Sequence, residues 1–164
     1  MTALVTISLG SNINPEFNIR LAVDELKLQY GELIISPVYQ TAAVGFDGED
    51  FLNLVVSFNT LISVQDIAAK LKKIEDGIGR DRSQPRFSAR AIDLDLLTYD
   101  QLVLDEPGVQ VPRHEILQNA FVLKPLSDIQ GSTCHPEQHK TYLQLWLEME
   151  QHADRIELYE MSFD

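Results

Sequence analysis

The stretch Phe51-Leu-Asn-Leu-Val-Val-Ser-Phe-Asn59 decides the fold prediction, because its side chains alternate between two faces. This period of two is typical of a β-strand. Directly after it, Ser63-Val-Gln-Asp66 resembles a helix capping box, and apolar residues at helical spacing predict a helix to about Gly77. One face of the strand is apolar and the other is mixed: Leu52, Leu54, Val56 and Phe58 against Asn53, Val55 and Ser57.

The segments on both sides complete the order of elements. The order strand, helix, strand, strand, helix, strand is typical of a ferredoxin-like α+β sandwich, in which helices cover one face of a largely antiparallel sheet. The other face of the sheet is then free to hold a site. The flanking predictions are a strand over 3–9 that ends at a turn Gly10-Ser11-Asn12, a helix from Pro15 to about Gly31, a strand over 33–41 interrupted by Pro37, a strand over 92–99, and a C-terminal extension with helices over 113–119, 121–129 and 142–151.

The composition predicts one acidic globular domain over residues 1–164. A chain of this length fits a single core, and no segment is apolar for long enough to cross a bilayer. The net charge of −12 argues against nucleic acid as a partner. The N-terminal residues do not resemble a secretion signal, and the single cysteine, Cys134, cannot form an internal disulfide. We therefore expect a cytoplasmic location, and we also expect a monomer.

Basic residues are concentrated in one segment of the chain. Arg80, Arg82, Arg86 and Arg90 place four of the thirteen Lys and Arg residues within eleven positions, in a long polar loop over 78–91. Guanidinium groups bind phosphate oxygens bidentately, so the cluster predicts a local anion site. The alternative, for Arg82 and Arg86 above all, is a solvated loop that pairs with the surplus acidic residues.

Two carboxylates follow this loop on one face of a predicted strand. In Ile92-Asp93-Leu94-Asp95-Leu96 the two aspartates alternate with aliphatic residues. Aspartate is rare in strands, and two like charges on one face repel. Mg²⁺ would offset that cost, since it takes one or two carboxylates together with water and substrate phosphates. Alone, such a pair is more often a solvated strand face; with Arg90 three residues upstream it predicts a metal and phosphate site.

Three further features lead to weaker predictions. Glu75, near the end of the second predicted helix, is a candidate for the same polar site, although most helix glutamates are surface charge. Phe51, Phe87 and Phe121 lie at junctions between elements and loops, where aromatic residues either stack on a flat ring or belong to the core. Cys134-His135-x3-His139 has no fourth zinc ligand nearby, so we predict no zinc site there.

The run Arg86-Phe-Ser-Ala-Arg90-Ala-Ile-Asp93-Leu-Asp95-Leu-Leu97 resembles the signature of the 6-hydroxymethyl-7,8-dihydropterin pyrophosphokinases, which are enzymes of folate biosynthesis. The ferredoxin-like fold of that family agrees with the predicted order of elements. The resemblance extends in order over residues 3 to about 130, through Leu9-Gly-Ser-Asn12, Tyr39-x-Thr41, Phe51-Leu-Asn53, Ile74-Glu75, Gly79-Arg80, Val111-Pro112 and Phe121-Val-Leu-x-Pro125-Leu126.

The resemblance implies transfer of the terminal diphosphate of ATP to the hydroxymethyl oxygen of the pterin, with release of AMP. It implies two Mg²⁺ ions held by Asp93 and Asp95, and neutralisation of the transferred phosphates by Arg80 and Arg90. The residues that it implies for pterin binding are Thr41, Val44, Phe51, Asn53, Phe87 and Phe121. Those that we assign to ATP binding are Glu75, Arg82, Arg113 and His114.

Two departures from the family pattern concern the ATP side. The family places a histidine directly after the Val-Pro pair, whereas here Arg113 intervenes before His114. Asn119 stands where an arginine is usual. These departures leave open a divergent homologue that binds pterin or nucleotide with altered specificity or little catalysis, and a regulatory module of the same fold. The presence of Asp93, Asp95, Arg80 and Arg90 favours catalysis over both, because a binding module has no use for a pair of metal ions.

Overall fold

The computed structural model describes residues 1–42, 50–79 and 91–163. It is a mixed α/β structure built on an antiparallel sheet. The strands are β1 Ala3–Ser11, β2 Ile34–Ile35, β3 Val38–Thr41, β4 Phe51–Thr60, β5 Asp93–Tyr99, β6 Leu104–Glu106, β7 Val109–Val111 and β8 Glu157–Tyr159. The helices are α1 Pro15–Tyr30, α2 Val64–Ile78, α3 Ala120–Gln130 and α4 Tyr142–Met149, with a 3₁₀ turn at His114–Leu117.

The main sheet has the strand order β5-β1-β4-β3-β8, and β2 also pairs with β4. Every pairing between these strands is antiparallel, as the sequence predicted. The pairing of β1 with β4 is continuous from Ala3 opposite Thr60 to Ser11 opposite Leu52. β6 and β7 form a separate two-stranded sheet. The long β1–β4 ladder is therefore the central pairing of the sheet, and the other strands pair on either side of it.

The predicted second strand is divided into β2 and β3 at Pro37, which has no N–H to donate to a ladder. At this interruption, Ser36 forms hydrogen bonds with Val55 in place of the regular ladder bonds. Its backbone N–H donates to the carbonyl of Val55 at 2.9 Å, and its hydroxyl accepts from the Val55 N–H at 2.9 Å. The interruption is thus hydrogen-bonded, and β3 continues beside β4.

Helices α1 and α2 pack on one face of the sheet, against the apolar side of β4 that alternation predicted. Leu52, Leu54, Val56 and Phe58 all belong to this core cluster. Ser63 caps α2 as expected, since its hydroxyl accepts from the Asp66 N–H at 3.2 Å. Within the described ranges, no helix is long and apolar enough to span a bilayer.

The C-terminal extension forms a second layer on the opposite face, which the order of elements had predicted to be free. α3 and α4 pack there on a separate cluster that includes Val55 and Leu97, both fully buried. A shift in register places Ile7 opposite Leu96 but Thr6 opposite Thr98, so that Leu97 is the extra residue of a bulge. The site face is therefore only partly open, because apolar residues on it need their own cover.

The last residues return to the sheet. β8 pairs with β3, and Arg20 on α1 donates to the carbonyl of Ser162 at 2.6 Å. The Tyr159 hydroxyl donates to the carboxylate of Glu16 at 2.9 Å. The C-terminal segment is thus attached to the same strand, β3, that borders the candidate site.

Candidate active site

The two aspartates of β5 lie on the sheet face opposite α1 and α2. Asp93 and Asp95 are half-buried, whereas Leu94 between them is buried in the core. Asp93 lies opposite Gly10 on β1, and Gly10 lies opposite Asn53 on β4. Directly opposed residues of an antiparallel sheet share a face. The carboxylates and Asn53 therefore occupy one surface, two strand spacings or about 10 Å apart along the hydrogen-bonding direction.

Glu75 of α2 reaches β5 between these aspartates. Its side chain is only 3% exposed, and Oε2 accepts from the backbone N–H of Leu94 at 2.7 Å. Among the residues that the structure describes, β5 is the edge strand of the sheet, where alternate N–H groups have no strand partner. Glu75 supplies the acceptor that the ladder lacks, so it joins α2 to the strand that carries Asp93 and Asp95.

Asn53 is 5% exposed and is held on its amide side. Nδ2 donates to the hydroxyl of Thr41 at 2.9 Å and to the carbonyl of Tyr39 at 3.3 Å. Oδ1 faces Gly10: a Cβ at Gly10 would lie 3.3 Å from it, and 3.9 Å from the ring of Phe51. Both N–H groups are used, so the orientation of the amide leaves its oxygen as the acceptor above Gly10.

Gly10 corrects an expectation. The sequence predicted that the first strand ends at a turn over 10–12, whereas β1 continues through Ser11. The Ser11 hydroxyl donates to the carbonyls of Ala91 at 2.5 Å and Ile13 at 3.2 Å, which ties the strand end to the segment before β5. A glycine inside a strand often marks a close approach of another group, and that signal identifies Gly10.

Phe51 and Phe121 are both half-buried. Phe51 begins β4, and Phe121 lies in the first turn of α3, which packs on the same face of the sheet. The other residues assigned to substrate or phosphate binding in loops lie outside the described residues. They are Val44, Arg80, Arg82, Phe87 and Arg90.

Arg113, which was assigned to ATP binding, lies beside the carboxylates. The sequence alone did not predict this contact. Its Nη2 is 3.5 Å from Oδ1 of Asp95, and its Nε donates to Glu115 at 2.5 Å. The backbone N–H of Arg113 donates to the carbonyl of Leu97 at 2.9 Å, which holds the segment against β5. His114 is exposed, and Asn119 precedes α3 without a side-chain capping bond.

The chemistry of the donor set fits Mg²⁺. Within residues 1–42, 50–79 and 91–163, no three His, Cys, Asp or Glu side chains form a group able to hold a metal ion. A structural zinc site requires four protein ligands. Mg²⁺ needs only one or two carboxylates and leaves its other positions to water and phosphates. Asp93 and Asp95 provide such a pair.

The model of the 7,8-dihydro-6-hydroxymethylpterin-pyrophosphokinase family matches residues 6–131. The chain belongs to this family. It is 32% identical over 136 residues to the 2-amino-4-hydroxy-6-hydroxymethyldihydropteridine pyrophosphokinase of Aquifex aeolicus, covering 82% of this chain and 84% of the relative. To the Pseudomonas aeruginosa enzyme of that name it is 35% identical over 133 residues, covering 79% and 82%.

Among solved structures, wild-type HPPK-DHPS of Plasmodium falciparum is similar with a TM-score of 0.72 at 13% identity. The match covers 93% of this chain and 42% of that one, so this chain spans less than half of the solved protein, and the likeness concerns the fold alone. The family membership predicted from the sequence is confirmed, as is pyrophosphokinase activity in folate biosynthesis.

Proposed function

We propose that this chain transfers the terminal diphosphate of ATP to the hydroxymethyl oxygen of 6-hydroxymethyl-7,8-dihydropterin and releases AMP, with Mg²⁺ as the metal. Membership of the pyrophosphokinase family supports the reaction. The observation that carries the proposal is the shared sheet face, on which the carboxylates of Asp93 and Asp95 lie two strands from the oriented amide of Asn53. One surface thus offers a metal and phosphate end and a ring-binding end.

Asp93 and Asp95 would hold two Mg²⁺ ions together with the phosphates of ATP. When bound, Mg²⁺ neutralises phosphate charge and lowers the pKa of a coordinated hydroxyl. Around this pair, the guanidinium of Arg113 lies close enough to Asp95 to act on the same phosphates. We assign Arg80 and Arg90 to neutralising the transferred group, and Glu75, Arg82 and His114 to binding the rest of the nucleotide.

The chain itself contributes mainly position. Diphosphate transfer needs the hydroxymethyl oxygen in line with the β-phosphorus, and holding two reactants in such geometry removes much of the entropic barrier. β1 lies between the two ends of the site, which are therefore two strand spacings apart, and Glu75 fixes β5 through Leu94. These contacts favour a rigid platform on which the phosphates and the ring are placed independently.

The pterin is assigned to the Asn53 end. Oδ1 of Asn53 accepts no hydrogen bond within the described residues, whereas a pterin presents ring N–H and amino donors along one edge. An acceptor held in one orientation discriminates against rings without the matching donor. Thr41 and the backbone near Val44 complete the polar edge, while Phe51 and Phe121 stack on the ring and Phe87 closes over it.

We also infer that strands β5, β1, β4 and β3 form a ferredoxin-like arrangement with α1 and α2. We assign the whole chain, residues 1–164, to a single domain. The order β5-β1-β4-β3, with α1 and α2 on one face, supports this interpretation. We further propose a cytoplasmic monomer. The single, exposed cysteine, Cys134, is compatible with a reducing compartment.

The test combines the protein with Mg²⁺, ATP and 6-hydroxymethyl-7,8-dihydropterin. We expect AMP and the pterin diphosphate in equal amounts, and no product after chelation of Mg²⁺. The control acceptor is 6-methyl-7,8-dihydropterin, which has no hydroxyl and should yield no AMP. Formation of ADP in place of AMP would indicate transfer of a single phosphoryl group, and absence of AMP at every substrate concentration would rule out the proposal.

A further inference from the structure

Tyr39 connects the two walls of the proposed pterin pocket. Its backbone carbonyl accepts from Nδ2 of Asn53 at 3.3 Å, and its hydroxyl donates to the carboxylate of Asp128 on α3. The Tyr39 side chain is 5% exposed. Burial and the neighbouring Asp128 carboxylate raise the pKa of Tyr39, so the phenol stays protonated and remains the donor. One residue therefore joins the amide that orients the ring to the helix that faces it.

Asp128 lies on the same side of α3 as Phe121. Residues at spacings of three, four and seven share a helix face, which places Phe121, Lys124 and Asp128 in one row. Asp128 lies about 10 Å along the helix from Phe121. Lys124 Nζ lies 2.8 Å from Asp128 and 5.7 Å from the ring centre of Trp146 on α4. The helix that carries Phe121 is thus held at Asp128 from the β3 side and from the α4 side.

We propose that the Tyr39–Asp128 hydrogen bond is a positioning contact for the pterin pocket, which sets the distance between Phe121 on α3 and the Asn53–Phe51 wall on β4. This inference rests on the proposed function. Neither residue touches the ATP side, where Asp93, Asp95 and Arg113 lie. Loss of the contact lets α3 move relative to the sheet. The pterin ring is then bound more weakly, whereas phosphate binding stays intact.

The test is the substitution Tyr39→Phe, which removes the hydroxyl and keeps the buried ring. We expect the KM for the pterin to rise about tenfold. A hydrogen bond to a charged group contributes a free energy that corresponds to at least about this factor. The KM for ATP and kcat should change less than about twofold. Asp128→Ala should give the same pattern, and the double variant should be no worse than the single ones, since coupled partners are not additive.

A matched control is Tyr159→Phe, which removes another tyrosine–carboxylate bond, to Glu16, on the opposite side of the sheet. Both KM values should stay unchanged. An active wild type together with an unchanged pterin KM in Tyr39→Phe would overturn the inference, as would equal rises in both KM values. An inactive wild type would overturn the proposed function instead. If Tyr39→Phe fails to fold, Asp128→Ala, which removes the acceptor and leaves the Tyr39 side chain in place, supplies the same comparison.

Discussion

The carboxylate of Glu75 accepts a 2.7 Å hydrogen bond from the backbone N–H of Leu94, the residue that separates Asp93 from Asp95. The contact joins α2 to the edge strand of the sheet at the proposed metal end of the site. It gives Glu75 a role in placing the carboxylates in addition to the nucleotide contact that the family resemblance implies.

Replacement of Glu75 by alanine should lower the free energy of unfolding by about 1–3 kcal/mol, because the buried N–H of Leu94 loses its acceptor. Glu75→Gln retains a side-chain oxygen and should lose less. Urea unfolding of both variants measures the difference. Asp24→Ala, which removes an exposed acid from α1, is the control and should stay within about 0.5 kcal/mol of the wild type. Equal losses in Glu75→Ala and Asp24→Ala would contradict the assignment.

Replacement of Asp95 by alanine should lower turnover by at least about 100-fold, because phosphate charge in the transition state loses its stabilisation. Pterin binding, two strands away, should be largely retained. Steady-state assays at saturating Mg²⁺ test this. Asp105→Ala, at an exposed acid on β6, should leave turnover unchanged. Normal turnover in Asp95→Ala would show that Asp95 is not a metal ligand.

A methyl group at Gly10 should weaken pterin binding. The new Cβ would lie 3.3 Å from Oδ1 of Asn53, whose amide is held by Thr41 and Tyr39 and cannot easily turn away. We expect a higher KM for the pterin in Gly10→Ala with little change in the KM for ATP. Gly77→Ala on α2 meets open space and should instead stabilise the protein by about 0.5–1 kcal/mol, with normal kinetics. An unchanged pterin KM in Gly10→Ala would place the ring elsewhere.

An arginine at position 119 should lower the KM for ATP. The family resemblance implies arginine at this position, and Asn119 makes no side-chain capping bond that the change would remove. Stability should therefore change little. Gln118→Arg adds the same charge one residue earlier, at an exposed position, and should have a smaller effect. If both variants lower the KM for ATP equally, nonspecific attraction between the added charge and the phosphates explains the gain, and position 119 has no specific role.

Stability should fall below about pH 6.5 because of His135. The side chain is 3% exposed and its Nδ1 accepts from the Glu137 N–H at 3.0 Å, which requires the neutral ring. Burial lowers the pKa of His135, partly offset by the Glu137 carboxylate. The unfolded chain therefore takes up a proton first, so stability is fully present above the unfolded pKa and is lost as pH falls towards the folded one.

Unfolding in urea at pH 7.5 and pH 5.5 should show this loss in the wild type. His135→Asn keeps an acceptor for Glu137 and removes the titrating ring, so its loss between the two pH values should be smaller. His152→Gln replaces an exposed histidine and should keep the wild-type dependence. The same loss in His135→Asn as in the wild type would assign it to another group.

Local pattern was sufficient to predict the elements that carry the site. The alternation in 51–59 and 92–96 identified both strands, and the capping residue Ser63 identified the start of α2. These predictions succeed because a side chain's face depends on its nearest neighbours along the chain. The strand end at Ser11 was missed, because a ladder with β4 stabilises Gly10 in an extended conformation that its own propensity does not favour.

By itself the sequence determined the order of the elements, the paired faces of Asp93 and Asp95, and, through the resemblance of its motifs, the family and its reaction. Only the tertiary structure decided which distant groups meet. Glu75 and Leu94 are 19 residues apart, and Tyr39 and Asp128 are 89 apart. The cover of α3 and α4 over Val55 and Leu97 also belongs to the tertiary structure. Such contacts depend on long-range packing of buried surfaces, which no short-range periodicity encodes.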